Sequence, residues 1–322
     1  MSTDDQFLAA RAADDQPEFG DRTAAGRGGE EDKRPSEAAL QRLIEAYTER
    51  YREAARWKSA IWVGSAALFG AGVILALLDN PSPTLGLIAA GYAVCARLVV
   101  RPESTRAHRE AVTLQEQYET QAFGLPWNRP LAGRQLPQVD VEDLAGRGRT
   151  DPDRLRRWNV DGGGAPQAMR VLLWQLEGAT WGRRDHRRCA VAMTATAVLS
   201  VATTVVVGFV RDASLTAYVS TLAVPALPWL LDLVDAARLH GQASTARERI
   251  EDDLNGLWLA VVSGAEPCVT TAVLRANQDR LFANRLAFGR VPEWFYLCYR
   301  DRNERAFSAA SRQMLERAGW AE

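Results

Sequence analysis

The chain has 322 residues, with 39 Lys and Arg against 40 Asp and Glu. A formal charge of −1 gives no electrostatic footing for a nucleic-acid polymer. The length suits two average soluble domains or one membrane protein with cytoplasmic parts.

Residues 1–36 are polar, acidic and poor in large apolar side chains. They read as a disordered tail and offer no apolar core for a signal peptide. From Glu37 the pattern changes: Leu40, Leu43, Ile44, Tyr47 and Tyr51 recur at helical spacing, so 37–59 reads as a cytoplasmic helix. It runs into the first of four long apolar stretches, which cover residues 60–78, 84–100, 189–210 and 214–234. A membrane-spanning helix needs about 20 such residues. A soluble helix of that length would show a polar face, and these show none. Arg97, near the end of the second, can snorkel to the headgroups, and Asp232 lies near the end of the fourth. "DNPSP" and "RDA" are tight connectors, so the spans pair as two hairpins, 60–100 and 189–234.

The expected fold is all-α: four transmembrane helices in two hairpins with a cytoplasmic helical body. That body would comprise the middle segment 101–188 and the C-terminal segment 235–322. Ala107, Ala111, Leu114 and Tyr118 form a helical stripe after the second span, and Ile250, Leu254, Leu257 and Val261 another after the fourth. Lys and Arg crowd the span ends away from the two connectors: Arg52, Arg56 and Lys58, then Arg101, Arg106 and Arg109, then the run 183–188, then Arg238. Both termini should therefore be cytoplasmic in a multi-pass membrane protein.

Residues 124–164 hold many Pro, Gly and Arg residues without a period, so they read as a connector. "DGGGAP" lacks the Gly-Lys-Ser/Thr ending and the preceding strand of a phosphate loop. Cys95, Cys189, Cys268 and Cys298 are far apart, which favours free thiols. His108, His186 and His240 share no ligand spacing, and no catalytic motif is present. Neither an enzyme nor a metal or cofactor site is expected.

The spans differ in small and polar residues. Gly64, Ser65, Ala66, Gly70, Gly72, Gly86 and Gly91 in the first pair suit close helix approach. Thr196, Ser200 and Thr203 share one face of the third span, as Ser214, Tyr218 and Thr221 do on the fourth. Two readings stay open. These hydroxyls serve helix packing, or they line an aqueous pore built by several copies of the chain. A coupled transporter is disfavoured, because no charge lies at mid-membrane.

Three blocks carry a family resemblance: "FGLPWN" (123–128), "WQLEGATWGRRDHRR" (174–188) and "NQDRLFANRLAFGRVPEWFYLCYRDRNE" (277–304). The sequence resembles the S-4TM family, four-span bacterial proteins found beside nucleotide second-messenger synthases in anti-phage systems and assigned as pore-forming effectors. The matching residues include Trp127, Asn128, Gln175, Trp181, Arg187, Asp279, Arg285, Pro292, Trp294 and Arg300. The middle block departs from the family pattern, which has Cys, Asn and Asp where Trp174, Gly178 and Gly182 stand.

The resemblance implies a membrane effector that forms a pore or disrupts the inner membrane when a cytoplasmic nucleotide signal arrives. Its implied partners are membrane lipid, further copies of itself, and a cyclic oligonucleotide or its synthase. The ten motif residues, cytoplasmic by the topology above, either bind that signal or brace the fold. The alternative function is a membrane-anchored interaction or signalling module without conductance.

Overall fold

The computed structural model describes residues 35–147 and 161–321. The tail expected over 1–36 lies, through residue 34, outside the described residues, as does the later part of the connector. Among the described residues there is no strand. Four long helices dominate: α1 (Glu37–Leu77), α2 (Pro83–Phe123), α5 (Gln167–Val210) and α6 (Leu215–Val262). Shorter ones are α3 (Arg129–Ala132), α4 (Gln138–Arg147), α7 (Thr271–Phe288) and α8 (Glu293–Arg317).

All four long helices are long and apolar enough to cross a membrane. Only 17–39% of each apolar window is buried inside the chain, so the remainder faces outward. Ile74, Leu87, Val94, Leu98, Val198, Leu199 and Phe209 are exposed. A water-soluble bundle would pay for that surface at roughly 25 cal/mol per Å². Hydrocarbon around the helices removes the cost.

Each long helix crosses and then continues as part of the body. α1 starts where Ser36 Oγ accepts a hydrogen bond from Ala39 N–H at 3.2 Å, satisfying one orphan amide. Leu43, Ile44, Tyr47 and Tyr51 then bury one face against Ala111, Leu114 and Tyr118 of α2. The stripes of α5 and α6 close a second core, with Leu172, Leu173 and Leu176 beside Ile250, Leu254 and Trp258.

The two hairpin turns share one geometry. Asp79 and Asp212 adopt positive φ (53° and 46°) just past the helix end. In each, the next amide reaches back to a carbonyl five residues earlier, Asn80 to Leu75 at 3.0 Å and Ala213 to Gly208 at 3.0 Å. Both turns lie at the same end of the bundle, because Arg211 Nη2 meets Asp79 Oδ2 at 3.5 Å.

Two glycines on the first hairpin sit against carbonyls of α6. Near its start α6 contains a π-helical segment, Tyr218–Ala223, followed by Pro225. Val224 N–H bonds to Val219 O, so Ser220 O loses its α-helical donor, and Pro225 has no N–H to give Thr221 O. A Cβ on Gly72 would lie 2.5 Å from Thr221 O, and one on Gly86 3.3 Å from Ser220 O. Gly64 lies under the Tyr92 ring. Gly70 and Gly91 touch nothing, so the close-approach expectation applies to only part of that set.

The connector reading of 124–164 needs correction. Within it, α4 buries Val141, Leu144 and Ala145 in the α1–α2 core. Those three positions are i, i+3 and i+4, a short helical signal hidden among acidic neighbours. The glycine run is a docked turn: Gly163 has φ 50° and faces Trp320 O, and Gly164 N–H donates to Trp320 O at 3.0 Å.

Candidate functional site

The helical body outside the spans is organised around a buried ionic network, built mostly by α2 and α7. Along α2, Glu116 and Glu119 interrupt the apolar stripe and are both buried. α7, capped by Thr270, presents Arg275, Gln278, Asp279 and Arg285 toward them. Arg275 Nη2 reaches Glu116 Oε1 at 2.5 Å and Asp279 Oδ1 at 2.7 Å, and its Nη1 donates to Pro126 O. Asn128 Nδ2 donates to Asp279 Oδ2 at 2.8 Å. Gln278 is fully enclosed and donates to Glu116 Oε2 at 2.8 Å and Glu119 Oε2 at 2.5 Å. Gln175 Nε2 of α5 donates to Leu274 O at 2.9 Å and to Gln278 Oε1 at 3.3 Å. Arg285 Nη1 closes the network on Glu119 Oε2 at 2.5 Å.

Burial pushes the Glu116 carboxyl up, and the nearby Glu119 adds to that, while Gln278 and Arg275 hold it down. Leaving such a carboxylate without its arginine would be costly. The network thus ties the loop after α2, through α7, to α5.

Five of the ten motif residues gather here or beside it: Asn128, Gln175, Asp279 and Arg285 as members, and Trp127, whose Nε1 donates to Gly133 O at 2.9 Å. Trp181 packs on the α5–α6 core, and its Nε1 is enclosed without an acceptor. The remaining four lie apart. Arg187 is exposed on α5. Pro292 caps α8, Trp294 is 63% exposed in its first turn, and Arg300 lies 3.8 Å from Glu304.

A third assembly, not anticipated from the sequence, lies where the body meets the spans. Asn303 of α8 donates to Asp185 Oδ1 at 2.7 Å and accepts from Arg188 Nη1 at 3.0 Å. Arg188 also stacks 4.6 Å from the Tyr299 ring centroid. His186 Nδ1 and His240 Nδ1 approach to 2.7 Å, joining α5 to α6. Burial, then Arg247, push His186 down to about 2. Burial pushes His240 down to about 4. Both rings are neutral at pH 7, one donating and the other accepting. The basic run 183–188 hid these partners, because Asp185 and His186 within it face inward.

The six hydroxyls singled out on the third and fourth spans each have a partner. Thr196 and Thr203 donate to Ala192 O and Leu199 O of their own helix, both at 2.9 Å. Ser200 donates to Thr196 O and accepts from Trp229 Nε1 at 2.9 Å, so it faces α6. Ser214 caps Ala217, Tyr218 Oη lies 3.5 Å from Thr204 Oγ1, and Thr221 Oγ1 accepts from Ser82 N–H at 3.1 Å. Thr196 and Thr203 remain partly exposed on the outer surface.

Fold and site together define a multi-pass helical membrane protein whose spans grow out of a helical body with a buried ionic core. Residues 32–314 match the family described as the SMODS-associating 4TM effector domain, and the chain belongs to that family. It is also similar to a Bacillus cereus (strain VD146) protein named "Probable CBASS effector molecule", with 23% identity over 189 residues. That match covers 57% of this chain and 61% of the relative, so the chain spans less than two thirds of that relative's length. No solved structure matches the chain.

Proposed function

We propose that this protein is a bacterial anti-phage effector that breaches the inner membrane when a cytoplasmic nucleotide signal reaches its helical body. Membership of a four-span effector family supports the membrane role. The name of the Bacillus cereus relative supports the defence role. The observation that carries gating is continuity. All four spans are ends of helices that continue into the body, three of them directly beside the ionic core or its flanking helix pair. A change that shifts α7 against α2 and α5 would be transmitted to the spans as a rigid displacement.

In one copy Ser200, Ser214, Tyr218 and Thr221 are engaged within or between the hairpins, while Thr196 and Thr203 stay partly exposed on the outer surface. A pore therefore requires several copies, with the partly exposed Thr196–Thr203 face lining it. The arginines at the span ends distal to the two turns support a cytoplasmic position for both termini.

A second reading, an anchored module without conductance, draws on one observation. Trp294 is 63% exposed at the start of α8 and offers a docking ring to a cytoplasmic partner. Dye release separates the two. Purified protein in liposomes of bacterial lipid should release a small dye when the correct cyclic oligonucleotide is added. Retention of dye across a full panel of such nucleotides, with the protein shown to be inserted, would favour the anchored module.

A further inference from the structure

Arg247 of α6 is an arginine in an unusual setting. It is 7% exposed, yet among the described residues no carboxylate lies within ion-pair distance of it. Its acceptors are neutral: Asn284 Oδ1 at 2.7 Å from Nε and Gly178 O at 2.8 Å from Nη1. Burial, followed by repulsion from Arg285, pulls it down to about 10. The carboxylate that acts on it favourably, Glu119, is already shared by Arg285 and Gln278. Arg290, stacked 4.4 Å from the Tyr51 ring centroid, adds further positive charge.

The surrounding polar atoms are also biased. Asn284 is 5% exposed and spends its oxygen on Arg247, which leaves its Nδ2 enclosed without an acceptor. Buried donors are rarely left this way, since each costs about 1–3 kcal/mol. Positive charge and N–H groups are in excess together, and the missing partner of both is an anion with several acceptor oxygens.

The α5 wall here is bare backbone. A Cβ on Gly182 would lie 1.8 Å from Arg247 Nη1 and 2.3 Å from its Cζ, and Gly178 lies nearest to Arg285 Nη2, at 3.7 Å. Two arginines thus end against two glycines one turn apart, with no side chain between them.

We propose that this cluster of Arg247, Asn284 and Arg285 is the seat of a phosphate group, and that the phosphate belongs to the nucleotide signal. The second half rests on the function proposed above. A phosphate offers the acceptors this donor set lacks, and arginine pairs with it in planar, two-point fashion. A lipid phosphate is out of reach. Gly182 lies seven residues below Cys189, about 10 Å along the helix, and Arg247 thirteen residues beyond Val234, about 20 Å. The headgroup layer is only about 5–8 Å thick on each side. The seat lies between α5 and α6, which Arg183–Glu251 (2.5 Å) and Ser244–Arg183 (3.1 Å) join alongside it, and both continue as spans.

The test is thermal unfolding of the full chain in detergent with inorganic phosphate, a panel of cyclic di- and trinucleotides, or chloride at equal ionic strength. The variants are Arg247→Gln, Asn284→Asp, and Arg249→Gln as an exposed control on the same helix. The expected result is a Tm rise of about 4 °C at a hundredfold excess over Kd, for phosphate at high concentration and for one nucleotide at lower concentration. Arg249→Gln keeps that rise and Arg247→Gln loses it. Asn284→Asp, which sets a carboxylate 2.7 Å from Arg247 Nε with no added bulk, loses it too and has a higher starting Tm, so the test survives if Arg247→Gln fails to fold. No rise beyond that in chloride, or equal rises in all variants, would overturn the seat. Nucleotide binding that ignores both substitutions would overturn the seat while leaving the proposed function standing. A response to phosphate but to no nucleotide would keep the seat and overturn its assignment to the signal.

Discussion

Mild acid should loosen the junction between body and spans, through the His186–His240 pair. The folded values lie at about 2 and about 4, against about 6.5 in an unfolded chain. The folded protein therefore holds both rings neutral, and between pH 6.5 and 4 the unfolded chain binds more protons. Stability is fully present above 6.5 and is lost as pH falls below it. At pH 5.5 each ring costs about 1.4 kcal/mol, so the pair removes about 2.8 kcal/mol relative to pH 7.5. Burial also lowers His108, which adds in the same direction. Glu116 and Asp185, both raised by burial, work the other way nearer the carboxylate range, so the window ends at 5.5. For a chain of this size the loss corresponds to a Tm drop of about 4 °C, read by scanning fluorimetry in detergent. His240→Gln keeps an amide that can hydrogen-bond His186 but removes one titration, so its drop should be roughly half. A flat Tm between pH 7.5 and 5.5, or an undiminished drop in His240→Gln, would refute the reasoning.

Three further outcomes are expected. Arg275→Ala strands Glu116 and should destabilise the body by about 3–5 kcal/mol in the same assay, while Glu116→Gln alongside it recovers part of the loss. Gly72→Val sets a side chain against Thr221 O and should cost about 1–3 kcal/mol, whereas Gly70→Val, pointing into open space, changes Tm little. Thr196→Leu with Thr203→Leu leaves the Ser200–Trp229 bond intact. This pair should abolish dye release without lowering the amount of protein in the membrane; unaltered release would remove these residues from the pore lining.

The membrane architecture was legible because hydrocarbon imposes a simple demand. A run of about 20 apolar residues has few other uses, and the stripes of Leu43, Ile44 and Tyr47 announced that the helices continue beyond the span. What stayed hidden was long-range pairing. Nothing local marks Glu116 and Glu119 as buried, since Arg275 and Arg285, which cover them, lie more than 150 residues away. Arg247 was overlooked for the same reason. The run 183–188 read as a uniform basic anchor, yet helical spacing turns Asp185 and His186 inward while Arg187 faces out. The Gly178 and Gly182 positions were noted only as departures from a family pattern; their meaning needed the arginine side chains that lie against them.

The most direct test of the central claim is membrane potential in bacteria expressing this chain with a cyclic-oligonucleotide synthase or with the same synthase inactivated. The account predicts rapid depolarisation only with the active synthase. Intact potential across synthases of every product class, with the protein confirmed in the inner membrane, would contradict it.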